Sequence, residues 1–187
     1  MRAFWPSEIS VTNRYQVALI REAYRVLRPG GLIVVNDHYP GLWDPEDITI
    51  PARQAPKGCK FYNIIRQHIS KLGADPDVCE KMPQWLAPDS DHWDNGQSGF
   101  REIQLTMRTR PWYPHEDHTC MDPIDATIAP YARYLAVASI RDLTGLIKDS
   151  GLTDEEAENL AGEAIEEMKH PESCSIFKAY SIHALKM

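Results

Sequence analysis

The segment from Glu22 to Asp37 (EAYRVLRPGGLIVVND) constrains the fold more than any other part of the chain. Its first residues place apolar side chains at helical spacing, which predicts a helix that ends near Leu27. Pro29 cannot continue a helix, and the two glycines after it accept the left-handed backbone of a sharp exit. The apolar run at 32–35 has the uniform hydrophobicity of a strand covered on both faces, as in a parallel sheet. The segment therefore predicts an α/β fold.

Polar residues begin abruptly after this strand. Asn36, Asp37, His38 and Tyr39 follow its carboxyl end, where open α/β sheets bind their ligands. His38 and Asp37 are candidate catalytic residues because imidazole and carboxylate groups exchange protons near neutral pH, and Tyr39 is a candidate substrate-binding residue. Polar capping of the strand end explains the same residues equally well, and both interpretations stay open.

Three further segments are FYNIIRQHISKLGADPDVCEKMPQWL, GFREIQLTMRTRPWYPHEDH and GLTDEEAENLAGEAIEEMKHPESCSIFKAYSIHALK, which begin at Phe61, Gly99 and Gly151. Together with REAYRVLRPGGLIVVND they resemble the C-terminal half of fungal LaeA-like (UMTA-type) methyltransferases, which use S-adenosylmethionine. The resemblance implies an α/β fold with a partial class I methyltransferase (Rossmann-like) sheet. Its strands five, seven and six would lie in that order, with flanking helices. It also implies one methyltransferase-like domain over residues 1–187, truncated on its N-terminal side, with residues 38–86 as a loop and helical insertion over the site.

The same resemblance implies a function. Family members methylate small molecules, so the expected substrate is a natural-product intermediate of fungal secondary metabolism, in the cytoplasm or alternatively the nucleus. They hold S-adenosylmethionine with an N-terminal strand, a glycine-rich turn and an acidic residue, and the chain shows no such segment. Most of the cofactor site is therefore expected to be absent, and the chain is expected to be incomplete as a methyltransferase. A cofactor-independent cyclase or isomerase and a non-catalytic partner subunit stay open as alternatives.

Hydrophobic periodicity predicts the remaining elements. Thr153 and Glu156 stand at the reciprocal positions of a capping box, which opens a helix to about Lys169. A bulge is expected near the start of the second strand, where the alternation of apolar and polar residues slips. The other predicted elements are helices at 61–72, 78–86 and 124–149 and strands at 100–108 and 176–185.

Aromatic and polar side chains elsewhere are candidates for a substrate pocket. Tyr62 and Arg66 lie on the predicted helix 61–72, and a proline-bounded loop carries Trp112, Tyr113 and His115. These five are candidate substrate-binding residues, although simple packing explains the loop aromatics better. The two histidines at 115 and 118 lack a third spaced ligand, so no metal is expected.

Charge and cysteine usage limit the expected partners. The 27 acidic and 20 basic residues leave a net charge of −7 without a Lys/Arg-rich run, which argues against nucleic acid. No apolar stretch approaches membrane-spanning length, and the four scattered cysteines are expected to be reduced thiols of an intracellular protein. The expected partners are a small-molecule substrate and a second copy or partner chain along the unpaired edge of strand 32–35, unless residues 1–11 cover that edge.

Overall fold

A computed structural model describes residues 14–94, 96–115 and 124–187. These ranges form an α/β fold, as the sequence predicts. In chain order the elements are α1 (Arg14–Val26), β1 (Leu32–His38), α2 (Pro56–Lys71), α3 (Val78–Leu86), β2 (Phe100–Pro111), α4 (Ala129–Asp149), α5 (Asp154–Lys169) and β3 (Ile176–Lys186).

The three strands form one sheet in the order β1-β3-β2. The last strand of the chain lies between the two earlier ones and runs antiparallel to both, so β1 and β2 point in the same direction. Leu32 lies opposite Leu185 at one end of the first ladder, and His38 lies opposite Ala179 at the other. Within the described ranges, the outer edge of β1 has no strand partner, which leaves backbone donors and acceptors available for pairing.

The two faces of the sheet differ. Tyr180, Ile182 and Ala184 of β3 are buried in a core that includes residues of α1 and α3. On the opposite face, which we call the open face, Leu32 and Val34 stay 54% and 52% exposed. The prediction that strand 32–35 is covered on both faces is therefore wrong for the part of the chain that the structure describes. Its pattern is that of an antiparallel sheet with one solvated face.

A second core joins α2, α4 and α5. Phe61 of α2 and Ile140 of α4 are fully buried there, and Trp112, just after β2, is 2% exposed. Helix α2 approaches Trp112 at Gly58, where an added Cβ would lie 2.6 Å from Leu42 Cδ1 and would also overlap the indole ring. Glycine is therefore required by close packing, although its backbone conformation is ordinary.

Several predicted boundaries shift. Helix α2 begins at Pro56 rather than near Phe61, because proline is well tolerated in the first turn of a helix. The expected bulge in β2 is confirmed by a register shift between Arg101 and Gln104. The capping box is confirmed too, since Thr153 and Glu156 exchange hydrogen bonds at the start of α5.

Asp44 organises the loop between β1 and α2. Its buried carboxylate accepts hydrogen bonds from Arg53 Nε at 2.7 Å and from the backbone N–H of Glu46 at 3.0 Å. The hydrogen bond from Arg53 is the largest cause that lowers the pKa of Asp44 to about 2. The neighbouring Trp43 also exchanges backbone hydrogen bonds with Ile176, which anchors the loop to β3.

The cysteines differ from the expectation. Cys174 is disulfide-bonded, so the prediction of four reduced thiols is wrong for this residue. Cys59 and Cys79 are free, and Cys120 lies outside the described residues. Across the described ranges, no helix is both long and apolar enough to cross a membrane.

Candidate functional site

The two predicted catalytic residues point away from each other. Asp37 and His38 are the last residues of β1 and lie opposite Tyr180 and Ala179 of β3. Successive side chains of a strand alternate between faces, so Asp37 lies on the helix-covered face with Tyr180, and His38 lies on the open face. Both are exposed. The two side chains therefore do not share one face of β1.

Three polar residues converge just beyond β1 on the helix-covered side. The Tyr39 hydroxyl donates a 2.6 Å hydrogen bond to Asp77 Oδ1, and Arg66 Nη2 donates one of 2.8 Å to the same oxygen. The Arg66 guanidinium also lies over the Tyr39 ring, 4.3 Å from its centroid, which is a cation–π contact. The structure thus brings two predicted substrate-binding residues together through Asp77. We call these three residues the polar cluster.

Partial burial sets the protonation of the polar cluster. Desolvation, reinforced by the hydrogen bond to Asp77, raises the pKa of Tyr39 to about 12. Desolvation also opposes ionisation of Asp77, but hydrogen bonds from Tyr39 and Arg66 outweigh it and lower the pKa of the carboxyl. At neutral pH the cluster therefore holds a neutral phenol, a carboxylate and a guanidinium. These groups position one another and do not exchange protons near pH 7.

Arg66 also has a buried donor nitrogen that the polar cluster does not use. Its Nη1 is buried and has no hydrogen-bond partner among the described residues. The side chain borders a cavity of about 730 Å³ between the end of α2 and the start of α3, which Lys71, Asp75 and Lys81 also line. A buried donor without a partner costs free energy, so a ligand oxygen that reached it would be bound favourably.

Asp37 lies beside the thiol of Cys79 on α3. Burial raises the pKa of Cys79 to about 12, and the charge of the Asp37 carboxylate and its hydrogen bond add to the rise. The thiol is therefore protonated at neutral pH and acts as a hydrogen-bond donor rather than as a nucleophile. Asp37, exposed next to it, is an acid–base group that a ligand on this side can reach.

An aromatic row runs from the open face into the second core. The ring centroids of His38 and Phe177 are 6.5 Å apart, and those of Phe177 and Tyr62 are 5.6 Å apart, both edge to face. Tyr62 and Trp112 follow at 6.3 Å. Burial raises the pKa of Tyr62 to about 12, and both Tyr62 and Trp112 are almost fully buried. These two predicted pocket residues pack the core at this position.

The other loop residues lie apart from the polar cluster. Tyr113 packs against the second core, and its ring lies 5.0 Å from that of His115. His118 is outside the described residues. Where the structure describes the chain, no group of three or more His, Cys, Asp and Glu side chains could hold a metal ion.

Sequence reasoning missed Asp77 and Cys79. Both lie at the start of α3, about 40 residues after β1. No local sequence pattern predicts contacts between residues so far apart in the chain. Phe177 was missed as well, although its signal was present. Phe177 is two residues from Ala179 on β3, so the two side chains lie on the same face of the sheet. The pairing of β3 with β1 shows that this is the face that carries His38.

The Gly-Gly turn does not fit the role that the glycine-rich turn of the family has in binding S-adenosylmethionine. Gly30 and Gly31 form the only Gly-Gly pair in the sequence, and they lie at the amino end of β1, far from the polar cluster. Both N–H groups are already used. Gly30 donates to Lys186 O at 2.9 Å, and Gly31 donates to Arg28 O at 2.8 Å. This turn therefore has no backbone donors to offer to a cofactor.

No family model matches the chain, and no curated protein matches it significantly. The fold and the site define an α/β domain with a polar cluster at the carboxyl end of its first strand.

Proposed function

We propose that the chain is a methyltransferase-like protein of the LaeA-like type that acts on a small natural-product intermediate of fungal secondary metabolism. One observation carries the proposal: β3, the last strand, lies between β1 and β2 and runs antiparallel to both. Strands five, seven and six of a class I methyltransferase sheet have this order and these directions. The helix, Pro-Gly-Gly turn and strand at the start of the described chain support the same assignment.

The role of this chain is to position the methyl acceptor. Methyl transfer depends mainly on placing the acceptor in line with the donor, and the polar cluster offers donors and an aromatic wall at the carboxyl end of β1. The Arg66 side chain borders the cavity and can donate to an acceptor oxygen there, and Asp37 can take a proton from an acceptor hydroxyl. The cofactor supplies the methyl group.

The outer edge of β1 suggests how the protein assembles. An apolar strand with an unpaired edge and two half-exposed side chains, Leu32 and Val34, favours pairing with another strand. A second copy or a partner chain along this edge is therefore part of the proposal, as is a cytoplasmic or nuclear location. Size-exclusion chromatography with light scattering tests the assembly. A monodisperse monomer with rapid exchange of the β1 amides that point to its outer edge would contradict it.

A second candidate function is a cofactor-independent cyclase or isomerase. The exposed Asp37 carboxylate at the end of β1 favours it, because proton abstraction needs a placed base. Turnover without S-adenosylmethionine would distinguish this candidate. Replacing Asp37 with Asn should then reduce turnover by about a hundredfold, and replacing His38 with Gln should have little effect because His38 faces the other way.

Calorimetric titration of the purified 187-residue chain with S-adenosylmethionine and its demethylated product tests the leading proposal. Micromolar binding supports methyl transfer, with the cofactor held by residues outside the described ranges or by a second copy. Absence of heat from a folded sample, shown by a cooperative unfolding transition, would overturn methyl transfer by this chain. Screening would then move to the cyclase and isomerase assays.

A further inference from the structure

The open face carries a basic groove that the proposed function does not use. It crosses all three strands and has a volume of about 430 Å³. The side chains that point into it are Asn36 and His38 from β1, Ala179, Ser181 and His183 from β3, and Thr106, Arg108 and Arg110 from β2.

The strand register arranges these side chains in rows. Asn36, Ser181 and Thr106 form one row of neutral hydrogen-bonding groups across the sheet. In the next row the small Ala179 lies between His38 and Arg108, which leaves a depression between two long side chains. Because neighbouring strands are about 4.8 Å apart, the backbones that carry His38 and Arg108 are about 10 Å apart. A tetrahedral anion fits between their side chains.

The two arginines of the groove have no ion-pair partner among the described residues. Neither Arg108 nor Arg110 makes an ion pair or a side-chain hydrogen bond with any described residue, whereas Arg53, Arg66 and Arg101 each pair with a carboxylate. Asp37 borders the groove, but its side chain points to the other face of the sheet. The chain has a net charge of −7, but these two neighbouring arginines, unpaired among the described residues, make this part of the sheet face positively charged. An anionic ligand complements it.

We propose that the basic groove binds the phosphate group of a phosphorylated small molecule. Two guanidinium groups neutralise a phosphate monoester dianion, and each can bind it through two parallel hydrogen bonds. The side chains of Asn36, Ser181 and Thr106 supply further hydrogen-bond donors. Together with the two guanidinium groups, they offer more donors than the two oxygens of a single carboxylate can accept. The His38 ring lies in the next row and offers a surface to the organic part of the ligand. The site lies on the opposite face from the polar cluster and does not depend on the proposed function.

Titration of the ¹⁵N-labelled chain with inorganic phosphate and with phenyl phosphate, at an ionic strength of about 20 mM to limit screening, tests the proposal. We expect saturable amide shifts centred on Ala179 and Ser181, with phenyl phosphate tighter than phosphate. Arg108→Gln and Arg110→Gln should each weaken binding about tenfold. Arg101→Gln removes the same charge from the same strand outside the groove and should change affinity by less than about twofold.

Four results would overturn the site. They are the absence of saturable shifts from either phosphate, equal weakening by Arg101→Gln, acetate binding as tightly as phosphate, and binding of an octaglutamate peptide without binding of phenyl phosphate. The last result would reassign the groove to an acidic protein segment. The ¹⁵N spectra of the variants report folding directly, so a loss of binding is separated from a loss of structure.

Discussion

The hydroxyl of Tyr39 donates a 2.6 Å hydrogen bond to Asp77, which ties the first residue after β1 to the residue before α3. Arg66 of α2 binds the same carboxylate oxygen at 2.8 Å. One carboxylate therefore joins three elements at the carboxyl end of the first strand. Loss of Asp77 leaves Tyr39 and Arg66 without their shared acceptor, and loss of either donor leaves the partly buried carboxylate with one side-chain donor.

Replacing Tyr39 with Phe should lower the free energy of unfolding by about 1 kcal/mol, because the Asp77 carboxylate loses one of its two side-chain donors. Urea denaturation measures the change. Tyr113→Phe is the matched control, since the Tyr113 hydroxyl makes no hydrogen bond to a described residue, and it should be nearly neutral. Equal destabilisation by both variants would show that the Tyr39 hydroxyl contributes nothing specific.

Replacing Gly58 with Ala should destabilise the protein by about 2 kcal/mol, although alanine favours helices. The added methyl group would overlap the Trp112 ring and lie 2.6 Å from Leu42 Cδ1. Gly145→Ala is the control, because nothing lies within 4 Å of its added Cβ on the exposed side of α4. That variant should be stabilised by up to about 1 kcal/mol. Thermal or urea unfolding of both variants distinguishes close packing from helix propensity.

Local patterns in the sequence predict most of the fold and little of the candidate site. The capping box at Thr153 and the Pro-Gly-Gly turn at Pro29 are local, so their chemistry is readable from a few neighbouring residues. The apolar run 32–35 led to the wrong prediction that both faces of this strand are covered. Uniform hydrophobicity does not show whether other elements pack on one face of a strand or on both. Asp77 was missed since its contacts to Tyr39 and Arg66 depend on how α2 and α3 pack. Sequence placed His38 and Asp37 at the right strand end, but only the strand register separates them onto opposite faces.

Stability should fall in acid partly through Asp44. Its pKa in the folded protein is lowered to about 2, chiefly by the hydrogen bond from Arg53. A carboxyl whose folded-state pKa lies below its unfolded value near 4 contributes stability that is full above about pH 4 and is lost as the pH falls to about 2. Asp44→Asn should therefore flatten the dependence of unfolding free energy on pH in this window. Asp89→Asn, at an exposed position, should leave the slope unchanged, and an equal effect of both would contradict the assignment.

The cysteines should differ sharply in reactivity. In denaturant without reductant, iodoacetamide should modify Cys59 and Cys79, whereas Cys174 should be modified only after reduction because it is disulfide-bonded. Peptide mass spectrometry reads each site separately. Modification of Cys174 without reductant would show that this thiol is free in solution.

In the native protein Cys79 should react very slowly at pH 9, because its pKa is raised to about 12 and the thiolate is the reactive form. Burial is the largest cause, and the Asp37 carboxylate is the next. Asp37→Asn removes that negative charge, so the thiol pKa should fall and the rate of alkylation should rise by about threefold or more. Asp94→Asn, an exposed carboxylate paired with Arg21, is the charge-matched control and should leave the rate unchanged. A rate that is insensitive to Asp37→Asn would mean that the carboxylate does not face the thiol, and Asp37 would then lose its place on the helix-covered side of β1.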